Sequence, residues 1–208
     1  MVDNKKEGFG TEYWPNEKVK YNGYFSLGFY NDKNSNLLDE KGRFIFRGDF
    51  KNGKKYGHGV FYHQNSESKY QEGCFTNDLL EDKMGRIYDK DGVLIYLGVV
   101  KRGKREGKGN EFYTNSRLKV EGIYKNDELH DPNVEVYFEN GRIQYRGGYE
   151  NGKKTGNGTE FHANGKIKYE GNFINDCFNG SAVKVKNDED VIVYWGSMEE
   201  GLYHGKGI

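Results

Sequence analysis

Hydrophobic and polar residues alternate in short runs along this chain, and each run has a glycine at its centre. Ile143, Tyr145, Gly147 and Tyr149 form one such run. Alternation with a period of two is typical of a β-strand that buries one face. A central glycine weakens a strand unless something passes over it. We therefore predict that each glycine gives clearance to a ring from a neighbouring strand.

The central glycines define a repeat with a nearly constant period. They are Gly23, Gly48, Gly73, Gly98, Gly122, Gly147, Gly171 and Gly196, and successive ones are 24 or 25 residues apart. A fixed period of this length indicates an array in which each repeat stacks on its neighbours. The third repeat departs from the pattern, because Tyr70 lies three residues before its glycine instead of two. One extra residue in a strand predicts a β-bulge there.

A second order is present at twice this interval. Gly-x-Gly pairs begin at Gly8, Gly57, Gly107, Gly156 and Gly205, at steps of 49 or 50 residues. We compare the position fourteen residues after each central glycine. Repeats with the pair carry an aromatic residue there, such as Phe161, and the intervening repeats carry an aliphatic residue, such as Val136. We interpret this double repeat as a packing rule, in which a large ring requires adjacent backbone without side chains.

Two kinds of connection are expected between the strands. Type I′ hairpin turns need φ > 0 at both central residues, which favours Asn-Gly and Asp-Gly. The sequence therefore predicts such turns at Asp91-Gly92, Asn140-Gly141 and Asn164-Gly165. The other connection, exemplified by Lys51 to Lys55, is predicted to be longer.

Two short segments carry a family signature. The segment Tyr169 to Phe173 is similar to the Tyr-Glu-Gly-x-Trp opening of MORN repeats, with Phe in place of Trp, and His204 to Gly207 is similar to their His-Gly-x-Gly. With these motifs the chain resembles an array of about eight MORN repeats over nearly its whole length. The resemblance implies an all-β fold, an elongated single antiparallel sheet of stacked hairpins. It also implies use as a scaffold, a membrane-targeting module or an appendage to an enzyme.

The repeat sets the expected domain organisation. Residues 1–7 are predicted to be a charged flexible tail, and residues 8–208 one continuous domain. The pattern starts and stops in the middle of a repeat. Strand edges would then be left unpaired, so we expect either a longer array or edge-to-edge association with another copy.

Composition narrows the class of protein. Only 34% of residues are hydrophobic and the mean hydropathy is −0.99, but 15% are aromatic, which favours a thin aromatic core over disorder. The 32 basic residues balance 32 acidic ones, so there is no overall basic field to gather nucleic acid. Neither a signal peptide nor a membrane span is predicted. Cys74 and Cys177 lie in distant repeats and are predicted to be free thiols. Free thiols favour an intracellular, cytoplasmic location. Association with a membrane or with the cytoskeleton is compatible with this location.

No pattern indicates catalysis or a bound group. The segment Gly103 to Lys108 is the nearest approach to a phosphate-binding loop, but its spacing is short and a hairpin loop explains it. The five histidines are scattered over different repeats, without ligand spacing. We therefore predict no catalytic residue, no cofactor and no metal ion.

One set of basic residues stands out as a candidate contact for an anionic ligand or a partner. It comprises Lys51, Lys54, Lys55, Lys101, Arg102, Lys104, Arg105 and Lys108. Alternate repeats carry acids at the same connections, including Asp78 and Asp127. Two interpretations remain: neighbouring connections neutralise each other, or the basic ones bind a lipid or an acidic partner.

The function predicted from these observations is a non-catalytic intracellular scaffold that binds a protein through its repeating aromatic face. Tyrosine suits such a face because its large body carries a polar tip. One alternative is a targeting module of a larger enzyme, since MORN arrays resembling this one precede lipid-kinase and SET-type lysine-methyltransferase domains. Another is a weak binder of anionic phospholipids.

Overall fold

The structure, a computed structural model, describes residues 5–207, and all of its regular elements are β-strands. The chain divides into two compact units, with the boundary between Lys104 and Arg105. The strands of unit 1 are β1 (Gly8–Tyr13), β2 (Val19–Ser26), β3 (Phe29–Tyr30), β4 (Ser35–Leu38), β5 (Phe44–Lys51), β6 (Lys54–Tyr62), β7 (Lys69–Thr76), β8 (Leu79–Leu80), β9 (Asp82–Tyr88) and β10 (Leu94–Lys101). Those of unit 2, the first beginning one residue earlier, are β11 (Lys104–Phe112), β12 (Leu118–Lys125), β13 (Glu128–Leu129), β14 (Asp131–Tyr137), β15 (Ile143–Glu150), β16 (Lys153–Phe161), β17 (Ile167–Ile174), β18 (Cys177–Lys186), β19 (Ile192–Glu199) and β20 (Leu202–Gly207).

Each repeat glycine lies in a strand of eight residues, which we call a marker strand. The marker strands are β2, β5, β7, β10, β12, β15, β17 and β19. The strand that follows a marker strand and leads back to the next one is called a return strand. Each return strand pairs with its marker strands in antiparallel fashion. For example, β6 pairs with β5 and β7, and β16 pairs with β15 and β17. The predicted all-β array of antiparallel hairpins is confirmed, while the single continuous domain stays a prediction.

The tight turns follow the marker strands, where longer connections were predicted. Asn52 and Gly53 have φ of 51° and 76°, and Asn151 and Gly152 have φ of 49° and 75°. These values at both central residues are those of a type I′ turn, whose twist matches that of the flanking strands. The prediction of a long connection from Lys51 to Lys55 is therefore wrong, because two residues suffice.

The connections in front of the marker strands are the longer ones. At Asn140-Gly141 only the glycine has positive φ, and the loop is closed by a 2.8 Å hydrogen bond from Phe138 N to Arg142 O. The Asn140 side chain accepts a 2.9 Å bond from Arg142 N, which stabilises a turn of a different kind. The type I′ predictions at Asp91-Gly92, Asn140-Gly141 and Asn164-Gly165 are therefore wrong.

The third repeat has no additional bulge in its marker strand. Gly59 pairs with Gly73 and Phe61 with Gln71, the same register that the other Gly-x-Gly repeats show. The extra residue lies in the preceding loop, which is closed from His63 N to Ser68 O. Loops absorb an insertion more easily than a paired strand does. Gln71 thus takes the core position that Tyr145 and Tyr169 hold in unit 2, and it is 8% exposed.

The repeat glycines make room for a ring from their own strand. The Tyr145 hydroxyl donates a 3.1 Å hydrogen bond to Gly148 O, three residues further on. This path carries the ring over Gly147 and over Gly158 of the paired strand, where a Cβ would lie 2.8 Å from ring carbons. The same bond, of 2.6–3.3 Å, is made by Tyr21, Tyr96, Tyr169 and Tyr194. The predicted clearance exists, but its source is chiefly the same strand and not a neighbouring one.

Rings packed edge to face form the core on one side of the sheet, which we call the core face. In unit 1, Phe46 lies 5.2 Å from both Phe50 and Phe75, and all three are at most 5% exposed. In unit 2, Tyr145 and Phe173 are equally buried and their centroids are 5.2 Å apart. Because each ring removes about 150–250 Å² from water, a thin sheet obtains a core from few side chains.

The double repeat reflects two ways of building a β-bulge. In the Gly-x-Gly repeats the first glycine is left-handed, with φ of 65° at Gly156, and lies in the extra segment between two paired positions. In the intervening repeats an aspartate side chain takes this place and accepts a hydrogen bond from a backbone N–H of the marker strand. Asp82 Oδ2 accepts a 2.7 Å bond from Cys74 N, and Asp131 accepts a 3.0 Å bond from Ile123 N.

The predicted alternation of aromatic and aliphatic residues compared the wrong positions. Val136 and Glu160 both pair with Tyr145, from its two sides, so Glu160 and not Phe161 is the counterpart of Val136. The bulge shifts the register by one residue, which sequence spacing alone does not reveal. The core-facing position therefore alternates between an aliphatic residue and Glu or Phe.

Side chains at the longer loops bind the next hairpin of the same unit. Trp14 Nε1 donates a 2.9 Å bond to Leu38 O, and the Tyr113 hydroxyl donates a 2.6 Å bond to Tyr137 O. His63 and His162 use Nε2 in the same way, toward Tyr88 O and Lys186 O. These histidines therefore stabilise the array by joining adjacent hairpins.

The predicted tail is described only in part, since residues 1–4 lie outside the described residues. Residues 5–7 are exposed and have no regular structure. They are nevertheless attached to the turn between β2 and β3, because Lys6 O accepts a 2.9 Å bond from Gly28 N and the Glu7 carboxylate accepts one from Leu27 N.

The ring-over-glycine arrangement predicts the effect of a single methyl group. Gly158→Ala places a Cβ against the Tyr145 ring, and we expect it to lower the free energy of unfolding by about 1–3 kcal/mol. Gly10→Ala is the matched control, because it changes the equivalent glycine but puts its Cβ 3.6 Å from Phe25, an ordinary contact. Denaturant melts of both variants test this. Equal stability of the two would contradict the arrangement.

Candidate functional site

The described residues hold no cluster of side chains that could bind a metal ion. Within residues 5–207 no group of three or more His, Cys, Asp or Glu side chains could hold a metal ion. No helix in that range is long and apolar enough to cross a membrane. Cys74 and Cys177 are both free thiols.

The first three predicted basic residues lie on the β5–β6 hairpin but do not form one cluster. Lys51 Nζ lies 4.9 Å from the centroid of the Tyr56 ring, on the face opposite the core, which we call the outer face. Lys54 is exposed. Lys55 lies on the core face, with Nζ 3.9 Å from the Phe61 ring centroid. Alternation along the strand therefore divides them between two faces.

The other predicted basic residues divide in the same way. Three exposed basic residues lie around the turn that follows β10. Lys101 ends β10, Arg102 lies in the turn and Lys104 begins β11. Arg105 lies on the core face of unit 2, where its guanidinium is 4.9 Å from the Tyr124 ring centroid. Lys108 is exposed. Only the first three thus form an exposed basic segment.

The acidic turns contact the basic strands directly. Asp78 Oδ1 accepts a 2.9 Å bond from Lys55 N in unit 1, and Asp127 Oδ1 accepts a 2.8 Å bond from Arg105 N in unit 2. The Asp127 carboxylate is also 3.8 Å from Arg105 Nε. Mutual neutralisation of neighbouring connections, one of the two expected interpretations, is therefore present at Arg105.

Three repeats hold a glutamate between two cations on the core face, an arrangement that we call the cation clamp. In each clamp one carboxylate oxygen faces each nitrogen, at 2.5–2.9 Å. The clamps are Lys6–Glu12–Lys20 in unit 1, and Arg105–Glu111–Lys119 and Lys154–Glu160–Lys168 in unit 2.

A register shift supplies the second cation of each clamp. Glu160 pairs with Tyr169 and Phe161 with Ile167, so that Lys168 is the extra residue and can reach across to Glu160. The first cation covers the core rings. Lys154 Nζ lies 4.9 Å from the Tyr145 centroid and 5.5 Å from that of Phe173. Such a lysine gains cation–π attraction while its stem covers apolar surface.

Sequence reasoning missed the clamps, although a signal was present. A base, a glutamate six residues later and a lysine eight residues after that recur at multiples of the double period, at positions 6, 12 and 20, at 105, 111 and 119, and at 154, 160 and 168. Opposite charges at that spacing meet only if the strands pair with the bulge in place. The signal is therefore legible once the register is known.

Exposed aromatic side chains form a second candidate site, on the outer face of unit 1. Phe9, Tyr24 and Tyr56 are 66%, 54% and 43% exposed, and Phe9 and Tyr24 are in edge-to-face contact at 5.5 Å. We call these three residues with Lys51 the outer tyrosine surface. Tyr24, Lys51 and Tyr56 line an open cavity of about 610 Å³, together with Asp32, Lys33 and Asp49.

This surface differs from the predicted working surface. The core-face rings, such as Tyr145 and Phe46, are fully buried by their neighbours and by the overlying lysines. Exposed apolar side chains that adjoin each other beside a cavity can mark an interaction site. The repeat spacing could not identify these residues. Tyr24 follows its marker glycine directly, and the residues at that position in other repeats include Asp49 and Cys74, so an aromatic residue does not recur there.

Comparison with protein families gives a match to a repeat family. The family model described as MORN repeat matches residues 1–19, 46–67, 96–116, 145–167 and 194–208. Each matched segment contains one of the five Gly-x-Gly pairs. A comparison with curated proteins finds no match to the chain.

The clamp predicts how stability depends on pH. Burial raises the pKa of Glu160, but its bonds to Lys154 and Lys168 outweigh this and hold the pKa below the usual 4.5. A carboxyl with a depressed folded-state pKa contributes stability above the unfolded value and loses it as pH falls through the folded value. We expect Glu160→Gln to lower the free energy of unfolding by about 1 kcal/mol at pH 7. The deficit should shrink as pH falls below about 4.5.

Urea melts between pH 3 and pH 7 measure this difference. Glu170→Gln is the control, because Glu170 is exposed on the outer face of the adjacent marker strand. A deficit for Glu160→Gln that is the same at pH 3 and pH 7 would contradict the clamp.

Proposed function

Because the chain belongs to the MORN-repeat family, whose repeats are non-catalytic modules, we propose that it is a protein-interaction scaffold that uses the outer tyrosine surface. The observation that carries the proposal is the exposure of Tyr24 and Tyr56 around one cavity, with Phe9 packed against Tyr24. The core rings are unsuited to this role, because they are already buried.

The composition of the surface favours a polypeptide partner. Tyrosine and phenylalanine are enriched in the centres of protein interfaces, where they bury a large rigid area at low cost in conformational entropy. Lys51, stacked over Tyr56, and the carboxylates of Asp32 and Asp49 provide both signs of charge at the rim. Polar rims around an aromatic centre are typical of specific protein contacts. The free thiols of Cys74 and Cys177 support an intracellular location.

A second function, weak binding to anionic phospholipid, is supported by one observation. Lys101, Arg102 and Lys104 are exposed at one turn and make no salt bridge with a residue of the described range. Each such residue contributes about 1 kcal/mol near an anionic membrane surface. Three of them suffice for a weak, salt-dependent contact only.

The scaffold proposal predicts the result of removing two hydroxyphenyl groups. Partners captured from a cell lysate by the intact chain should be lost with Tyr24→Ser/Tyr56→Ser, with at least a tenfold rise in Kd for any purified partner. Met84→Ser is the matched control, since Met84 is 59% exposed but lies outside the surface. Capture of the same proteins by both variants would refute the assignment of this surface.

The lipid proposal predicts weak co-sedimentation with phosphatidylserine vesicles at low salt. Neutralising Lys101, Arg102 and Lys104 to glutamine should abolish it, and so should about 0.3 M salt, because surface charges are then screened within about 6 Å. The same substitutions at Lys33, Lys41 and Lys90, which are also exposed, serve as the control. Binding that survives high salt would show that charge is not its cause.

A further inference from the structure

Four repeats place a basic residue at the same position of the core face. In only three of these repeats does the basic residue pair with a glutamate. Lys6, Arg105 and Lys154 each belong to a cation clamp. Lys55, the fourth, forms no salt bridge within the described residues 5–207. The third repeat therefore keeps the cation and lacks its anion.

The register shows which residues replace the missing parts. Phe61 pairs with Gln71 and Tyr62 with Lys69, so that Phe61 stands where Glu160 stands in unit 2. Tyr70 is the extra residue, at the place of Lys168. The Phe61 and Tyr70 rings contact each other at 5.8 Å, in place of the ion pair.

The Lys55 ammonium group lies among rings. Its Nζ is 3.9 Å from the centroid of Phe61 and 5.8 Å from that of Phe46. Burial lowers the pKa of Lys55, and the charge of Asp78 opposes this only in part. A partly buried cation whose close contacts are aromatic rings gains from an added anion.

A second polar group on the same face also lacks a partner. Gln71 occupies a core position, is only 8% exposed and makes no hydrogen bond with a described residue through its side chain. It lies directly across the strand pair from Phe61. The Gln71 amide is therefore available to a ligand that also reaches Phe61.

An adjoining cavity extends the site. Phe61 also lines an open cavity of about 280 Å³, together with Phe44, Tyr62 and His63. The Phe44 and Tyr62 rings are stacked at 5.5 Å and form an aromatic wall of the cavity, while Asp39, Gln64, Asn65 and Ser66 form its polar part. Lys55 does not line this cavity, but Phe61 connects the two, and the volume suits one side chain packed against the aromatic wall.

We propose that the third repeat binds the carboxylate side chain of a glutamate or aspartate from a partner polypeptide, which completes the clamp that Lys55 begins. One carboxylate oxygen accepts from Lys55 Nζ and the other from the Gln71 amide. A neighbouring apolar side chain of the same segment fills the cavity beside Phe61. This site lies on the core face and is independent of the outer tyrosine surface.

The internal clamps argue for a carboxylate on a polypeptide. Each holds a planar group with one oxygen toward each of two donors, 2.5–2.9 Å away, which is the geometry of a carboxylate. Since Phe61 contacts the Lys55 ammonium group and also lines the cavity, a peptide can place a carboxylate at Lys55 and a neighbouring side chain in the cavity. A membrane surface would meet the exposed lysines of the turns first.

The test uses the full chain and two synthetic peptides, Ac-Phe-Glu-Gly-NH2 and its glutamine counterpart. Nitrogen-15 NMR follows the Lys55 ammonium and the Gln71 side-chain amide during titration. We expect both signals to shift with the glutamate peptide, and the glutamine peptide to bind at least tenfold more weakly.

Variants grafted from the intact clamps make the test specific. Phe61→Glu/Tyr70→Lys supplies an internal carboxylate and second cation, and it should abolish the response while the chain stays folded. Lys55→Gln, a milder change, should abolish it too, so the test holds even if the graft fails to fold. The reverse graft, Glu160→Phe/Lys168→Tyr, should create a new glutamate-peptide response at Lys154.

Three results would overturn the proposal. They are equal binding of the glutamate and glutamine peptides, a response that persists in the Lys55→Gln variant, and a larger Lys55 response to inorganic phosphate or phosphatidylserine vesicles than to the glutamate peptide. The capture experiment on Tyr24 and Tyr56 can fail without affecting any of these readouts.

Discussion

The contact on which this structure depends is the tyrosine ring that lies back over the glycines of its own hairpin. The Tyr145 ring covers Gly147 and Gly158, and its hydroxyl reaches the carbonyl oxygen of Gly148. The ring is thereby buried without an unsatisfied polar atom, which would otherwise cost about 1–3 kcal/mol. A single sheet can therefore bury tyrosine as completely as phenylalanine. That is why a chain with few aliphatic residues folds.

The cation clamps follow from the same constraint. A layer of rings on one face of a sheet has no second sheet to cover it, so long basic side chains perform this role, as Lys154 does above Tyr145 and Phe173. A cation in that position is partly removed from water and requires an anion. Glu160, itself paired with Lys168, provides it. Charge on the core face is thus a consequence of packing, and the few places where it is unbalanced, such as Lys55, become candidates for binding.

The two faces of unit 1 differ in what they offer a partner. On the core face the rings are buried and only the Lys55 site is incomplete among the described residues. On the outer face, alternation along the strands leaves Tyr24 and Tyr56 directed away from the core. Type I′ turns and loop hydrogen bonds define the hairpins that carry both faces.

The sequence by itself determined the all-β class, the eight repeats and the position of each marker strand, because period and alternation are local properties that Gly147 and its counterparts display directly. It did not determine the register. The left-handed Gly156, the bulge beside it and the one-residue loop insertion before Lys69 shift which residues face each other, and pairing across strands is a tertiary property. For that reason Glu160, Phe61 and Gln71 were not recognised as core-face residues, and the basic residues predicted as one contact proved to be divided between two faces. Only the folded sheet decides which charges meet.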